Sequence, residues 1–249
     1  MSENPAESIA NSYFESEKVV GHYLTEGHRV GLWESETKLF GSVFSKQDRI
    51  LDLGCGTGRI AFGLEMLGYE SLVAADFSAG MLEGAKQIAE GTDSKVSFIQ
   101  ADARKLPFAA DEFEGVIFGF NGFFMIPGRE ERIKALSEIH RVLKLGGHFI
   151  FTGHDRNHRN QRDHWVEKAS QSHGGDQARS AEDFGDVVAD TDLGTMYIHS
   201  TTEEEVAEML NDFGFGQVET WLRSELGNEG ATVRAFSDEC RFWKALKVS

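Results

Sequence analysis

Apolar positions along the chain change period several times, and the changes mark elements. RILDL (49–53), SLVAADF (71–77), VSFIQAD (96–102), GVIFGF (115–120) and HFIFT (148–152) are short, near-continuous apolar runs of the kind a strand buried on both faces needs. Helical periodicity separates them. Residues 59–67 form one such segment, closed by Gly68. After Ser78, a capping residue, Met81, Leu82, Ala85, Ile88 and Ala89 make one apolar stripe that Gly91 is placed to end. Ile133, Leu136, Ile139 and Leu143 mark another helix, with Gly146 and Gly147 as its stop. Strands joined by helical crossovers imply a mostly parallel, doubly wound α/β sheet. Thr202 with Glu205 forms a capping box ahead of Val206, Met209, Leu210 and Phe213. QVETWL (217–222) and TVRAFS (232–237), continuing toward CRFWKAL, read as two strands too close in sequence to pair in parallel.

A leader of residues 1–47 precedes this pattern, and a polar insertion at about 153–200 interrupts it. The leader concentrates aromatics (Tyr13, Phe14, Tyr23, Trp33), which suits a helical lid over the 48–249 domain. The acidic runs 182–192 and 203–208 read as solvated faces.

The chemistry collects where strands end. ILDLGCGTGRI (50–60) runs from a strand through Gly54, Gly56 and Gly58 into a helix, and glycines there let a ligand approach the backbone. The spacing is G-x-G-x-G, which disfavours a dinucleotide oxidoreductase with its G-x-G-x-x-G. Asp76 closes the second strand, where a carboxylate can accept both hydroxyls of a ribose, and Asp102 closes the third. All three features converge on the crevice where open α/β sheets bind ligands.

Taken together, D-x-G-C-G-T-G-R, A-D-F-S-x-x-M-L, Q-A-D-A-R-x-L-P-F and R-V-L-K-x-G-G-x-F-I-F, spanning 48–152, resemble the class I S-adenosylmethionine-dependent methyltransferases. The leader and the segment FNGFFMIPG are similar to a bacterial subgroup of them. The resemblance implies a Rossmann-like, seven-stranded sheet with an antiparallel last strand, and S-adenosyl-L-methionine as cofactor. It also implies that Gly54, Cys55 and Gly56 face the methionine part, with Gly58 completing the loop, and that Asp76 holds the ribose. Phe77 or Met81 would flank the adenine, Asp102 and Ala103 would meet its edge, and Asp52 would orient the loop or bind the methionine ammonium. Phe118, at the close of the fourth strand, is counted with them.

Methyl transfer needs alignment and exclusion of water rather than a protein nucleophile, so Cys55 reads as a packing residue. Where the acceptor must lose a proton, residues just past the fourth and fifth strands are best placed to take it, which makes Asn121 and His154 the catalytic candidates. His158 and His164 read as part of a solvated insertion, and no metal motif is formed. The net charge of −16 disfavours nucleic acid as partner and favours a small-molecule acceptor, with Arg156, Arg159 and Arg162 leaving an anionic one conceivable. A tRNA or protein methyltransferase and a non-catalytic cofactor-binding module are the alternatives. No apolar run is long enough for a membrane span, the amino-terminal residues lack a secretory pattern, and the two cysteines suit reduced thiols, so a cytoplasmic monomer or homodimer is expected.

Overall fold

The computed structural model of the chain describes residues 5–158 and 184–249. The leader folds as four helices, α1 (Pro5–Phe14), α2 (Glu17–His22), α3 (His28–Val30) and α4 (Glu34–Val43). The sheet begins with β1 (Arg49–Leu53), β2 (Ser71–Asp76), β3 (Ser97–Gln100), β4 (Phe113–Phe118) and β5 (Leu143–Gly153), all parallel. Crossover helices α5 (Arg59–Met66), α6 (Ala79–Thr92) and α7 (Arg129–Val142) join them. After β5 come a hairpin, β6 (Asp186–Thr191) and β7 (Gly194–His199), then α8 (Glu203–Asp212) and β8 (Phe215–Leu222). Two short helices, α9 (Arg223–Leu226) and α10 (Ala231–Phe236), lead to β9 (Arg241–Lys247). The sheet order is β3-β2-β1-β4-β5-β9-β8, with β9 antiparallel to both neighbours.

Alternation along each central strand explains why both faces are covered. Ile50, Ala74, Ile117 and Ile150 face a core built with α4, α5 and α6, while Leu51, Leu53, Val116, Phe118, Phe149 and Phe151 face a core built with α7 and α8. Among the described residues no helix is long and apolar enough to cross a membrane.

Five sequence-based expectations are corrected. TVRAFS lies in a helix and the strand is Arg241–Lys247; Val233 and Phe236, three residues apart, share a helical face that packs on the core, which overrides the β-branched composition. Gly91 does not end α6, which runs to Thr92 and stops at Asp93 with φ 53°. Gly146 and Gly147 do not stop α7; the helix ends at Val142 and both glycines lie inside β5. The insertion is not simply polar, because it contains the β6-β7 hairpin, with Tyr197 and Ile198 buried. Asp186, in the expected solvated run, instead accepts hydrogen bonds from Tyr197 (2.7 Å) and His199 (2.8 Å).

Leu193 and Met196 of the hairpin pack on Tyr13, Val19 and Met81, so the insertion and α1 cover the same end of the sheet. The insertion's two ends clasp one another: Arg156 N–H donates to Thr201 at 2.8 Å and Thr201 N–H to His154 at 3.0 Å. The capping box is present, with Thr202 and Glu205 each accepting the other's N–H, at 3.2 and 3.0 Å.

Candidate functional site

At the end of β1 the chain turns through Gly54, Gly56 and Gly58 at φ of +64°, +54° and +88°. A side chain in that region costs about 1–2 kcal/mol per residue, so glycine is selected by backbone geometry alone. Space selects it again at Gly54, where a Cβ would stand 2.3 Å from the Phe118 ring. At Gly56 a Cβ would meet only Met81 Sδ at 4.0 Å, so this part of the loop faces open space. The loop is held from behind: Cys55 N–H donates to Ala75 at 3.1 Å and Gly56 N–H to Asp76 Oδ2 at 2.8 Å.

Two buried carboxylates flank the loop. Asp76 also accepts from Ser78 N–H at 2.9 Å, and Asp52 accepts from Ala61 N–H at 3.0 Å. Burial pushes Asp52 up to about 7 against the opposing charge of Arg59, and pushes Asp76 up to about 6 against its N–H bonds. The Cys55 thiol is raised by burial, which suits a packing role.

These groups open onto one cleft of about 1240 Å³ counted out to solvent, at the carboxyl ends of β1, β2, β3 and β4. Asp52, Gly54, Cys55, Gly56, Asp76, Phe77, Met81, Asp102, Ala103 and Phe118 all line it. Gly58 does not; it sits one turn behind, where a Cβ would lie 2.7 Å from the Phe62 ring. Asp102 is gripped by Arg104 through Nε at 2.9 Å and Nη2 at 2.7 Å, and this bonding outweighs burial to hold its carboxyl below the usual range. Arg104 reaches on to Glu7 of α1 at 2.7 Å. With Phe14 edge-on to Phe77 at 5.8 Å, that contact seats α1 over the cleft.

The far wall is aromatic and aliphatic: Phe120, Phe236, Tyr23, Met125, Ile126 and Pro127. Phe120 and Asn121 are both left-handed, at φ 48° and 64°, a strained pair that the surrounding structure must hold. Thr152 Oγ1 accepts the Asn121 N–H at 2.8 Å, and the Phe120 ring packs against Phe236 at 5.2 Å and Trp33 at 5.9 Å. Neither Asn121 nor His154 is on the cleft wall, which corrects the position expected for both. The Asn121 amide turns away to meet His154 Nε2 at 3.3 Å, and burial lowers the His154 pKa. Arg156 bonds the Ser200 carbonyl and Glu205 rather than the cleft, and His158 stands beside Asp155 and Glu203 in a separate surface depression. Arg159, Arg162 and His164 lie outside the described residues.

Three contributors to the site escape the sequence reading. Arg59 lines the cleft and is held by Glu36 through two bonds of 2.7 and 2.6 Å. Arg104 and Phe236 are the others. Both arginines stand inside the quoted motifs, G-T-G-R and A-D-A-R, so a signal was present; for Phe236 there was none, since it reaches the cleft only through the helical turn of α10.

A family profile described as a methyltransferase domain matches residues 50–147. The chain is 43% identical over 103 residues to a demethylmenaquinone methyltransferase of Clavibacter sepedonicus, covering 41% of this chain and 40% of that protein. It is 41% identical over 105 residues to the enzyme of the same name from Thermus thermophilus, covering 41% and 45%. The match thus spans less than half the length of these relatives. Among solved structures, a Methanosarcina mazei S-adenosylmethionine-dependent methyltransferase superposes with TM-score 0.66 at 20% identity, over 84% of this chain and 97% of that one. A Haemonchus contortus phosphoethanolamine N-methyltransferase in complex with S-adenosyl-L-methionine gives 0.65 at 15% identity, over 99% and 61%. The matched residues, 50–147, hold the glycine loop and the strand ends that wall the cleft, so the part of the chain that is similar to methyltransferase domains is the part that builds the site.

Proposed function

We propose that this protein transfers a methyl group from S-adenosylmethionine to a small acceptor whose reacting part is flat and largely apolar. The observation that carries the reading is the single cleft in which an open glycine loop, Asp76 and Asp102 stand at the ends of three neighbouring parallel strands. The exposed backbone at Gly56, where a side chain would protrude into the cleft, fits a ligand in van der Waals contact. When bound, S-adenosylmethionine supplies a methyl carbon already activated on sulfonium, so the protein's work is alignment and exclusion of water.

In this reading the Gly54–Gly56 backbone receives the amino-acid part, Asp52 faces its ammonium, and Asp76 accepts the ribose hydroxyls on lone pairs that its N–H donors leave free. Phe77 and Met81 bracket the adenine, with Ala103 and Asp102 at its edge. The helical leader acts as a lid, with α1 closing the cleft through Glu7 and Phe14. Phe120, Phe236, Met125 and Ile126 receive the acceptor. Both cations of the cleft are already paired with carboxylates, which disfavours an anionic acceptor. The relatives named for demethylmenaquinone support an apolar ring and make that quinol the first acceptor to assay. Asn121 and His154 hold the strained Phe120 turn from behind.

Titration calorimetry is expected to show saturable binding of S-adenosylmethionine and S-adenosylhomocysteine and none of NAD. Binding of NAD alone would end this reading. A pH dependence follows as well. Asp52 and Asp76 keep protons in the folded protein that they would shed unfolded, because their folded pKa values of about 7 and about 6 lie above the unfolded one. The unliganded protein is therefore expected to lose stability as pH rises from about 4 to about 7. An ammonium beside Asp52 and hydroxyls on Asp76 favour the ionised forms, so cofactor affinity should rise through the upper part of that window and then level. Calorimetry at stepped pH checks this, and Asp52→Asn should remove the limb nearest neutrality.

A further inference from the structure

Arg132 of α7 is 3% exposed, a guanidinium enclosed by the chain. Among the described residues it meets no carboxylate directly. Its Nη1 donates to the Ile126 carbonyl at 3.0 Å and to the Tyr197 hydroxyl at 3.3 Å, and that hydroxyl donates in turn to Asp186 at 2.7 Å. His199 Nδ1 donates to the same Asp186 oxygen at 2.8 Å. Against burial, the bonds from His199 and Tyr197 hold the Asp186 carboxyl below its usual range, so it stays a carboxylate at neutral pH. The counter-charge of Arg132 thus sits on β6, one phenol away.

The far end of this relay is the cleft wall. Met125, Ile126 and Pro127 line the cleft at the close of one 3-10 turn, Gly122–Met125. Such a turn holds itself weakly: the Ile126 N–H reaches the Phe123 carbonyl at only 3.4 Å, and Pro127 has no N–H to offer. Anchors from outside therefore set where the wall stands. Two of them come from one face of β7, because Tyr197 and His199 are two residues apart on the strand. The first is the hydroxyl that holds Arg132, and the second is the His199 ring, stacked on Phe124 at 6.0 Å. Met196, between Leu193 and that pair, packs instead on Tyr13, Val19 and Met81. An apolar side chain of the same volume would serve stability as well as a buried, relayed cation. It would not hold the Ile126 carbonyl, which a charged donor grips more strongly than a neutral one.

We propose that Arg132, Tyr197 and Asp186 are positioning residues for the acceptor: they fix the Ile126 carbonyl, and through it the wall of Met125, Ile126 and Pro127, without touching the acceptor. This rests on the reading of that wall as the acceptor's seat. The test is calorimetry of 2-naphthol, a flat and largely apolar phenol, on protein saturated with S-adenosylhomocysteine. Tyr197→Phe keeps the ring and removes the hydroxyl. Its melting temperature should fall and its affinity for 2-naphthol should drop about tenfold, with S-adenosylhomocysteine bound within about twofold of the parent. Adding Arg132→Met removes the cation left without its relay, so the melting temperature should recover. The affinity for 2-naphthol should stay low, because the Ile126 carbonyl still lacks its donor. A role in stability alone would restore both. The double variant buries no cation, so it carries the test if Tyr197→Phe alone does not fold. Unchanged 2-naphthol affinity in Tyr197→Phe, or parent-like affinity in the double variant, overturns the assignment and leaves the cofactor site standing. A parent that binds S-adenosylhomocysteine but not 2-naphthol overturns the acceptor reading and the assignment with it, and one that binds neither overturns the whole functional reading.

Discussion

Replacing Glu36 by alanine is expected to destabilise the protein by about 3–5 kcal/mol, because it leaves a guanidinium buried without its counter-charge. Glu36 is 1% exposed and accepts two bonds from Arg59 and one, at 2.8 Å, from the Trp33 N–H. Arg59 lies 4.8 Å over the Trp33 ring, and Arg223 lies 5.2 Å from the same ring. The pair thus joins α4 to α5, and the Trp33 indole that precedes α4 brings Arg223 of α9 to the same place. In a chain of this size each kcal/mol moves the melting temperature by about 2–4 °C, so thermal unfolding should show a loss of roughly 10 °C. A double replacement, Glu36→Leu with Arg59→Met, should recover much of it, since paired charges are removed together and the volume is kept. A Glu36→Ala melting curve within about 2 °C of the parent would show that the ion pair contributes little to stability.

Asp76→Ala is expected to weaken binding of S-adenosylhomocysteine by about ten- to a hundredfold, the effect of leaving two ribose hydroxyls without a charged acceptor. It should also loosen the loop, because Gly56 and Ser78 would each lose the acceptor for an N–H. Asp76→Asn offers an oxygen to one of those N–H groups but turns an NH₂ toward the other, so its affinity should fall between the two. Calorimetry on variants with native circular dichroism measures both. An unchanged dissociation constant in folded Asp76→Ala would reduce the residue to a turn former.

The central sheet could be read in advance because parallel strands buried on two faces must be apolar at consecutive positions, and Ile50 through Leu53 or Phe149 through Phe151 cannot satisfy a helix with one wet side. The glycine loop was equally open to reading: three left-handed residues in five positions leave glycine as the unstrained choice, whatever the rest of the fold does. Elements whose form depends on what they pack against were less accessible. Ala231–Phe236 has the β-branched content of a strand, and only its seat beside Phe120 makes it a helix. The β6-β7 hairpin was masked by acidic neighbours, and its buried side is defined by Tyr13 and Met81, far away in sequence.

By itself, then, the order of residues determined the doubly wound sheet, the ligand-facing loop and the acids at the strand ends, since each follows from local backbone limits and from period. The tertiary structure alone decided the rest of the site. It turned Asn121 and His154 toward each other behind the wall, because Phe120 takes the inward place in the strained turn. It paired Arg59 with Glu36 across 23 positions, because a buried guanidinium must find a carboxylate wherever packing brings one. It also seated the leader's π-helical turn, Tyr23–Gly27, on the glycine loop, because the bonds of Thr57 to the Tyr23 carbonyl and of His28 to the Thr57 carbonyl exist only once the two are docked.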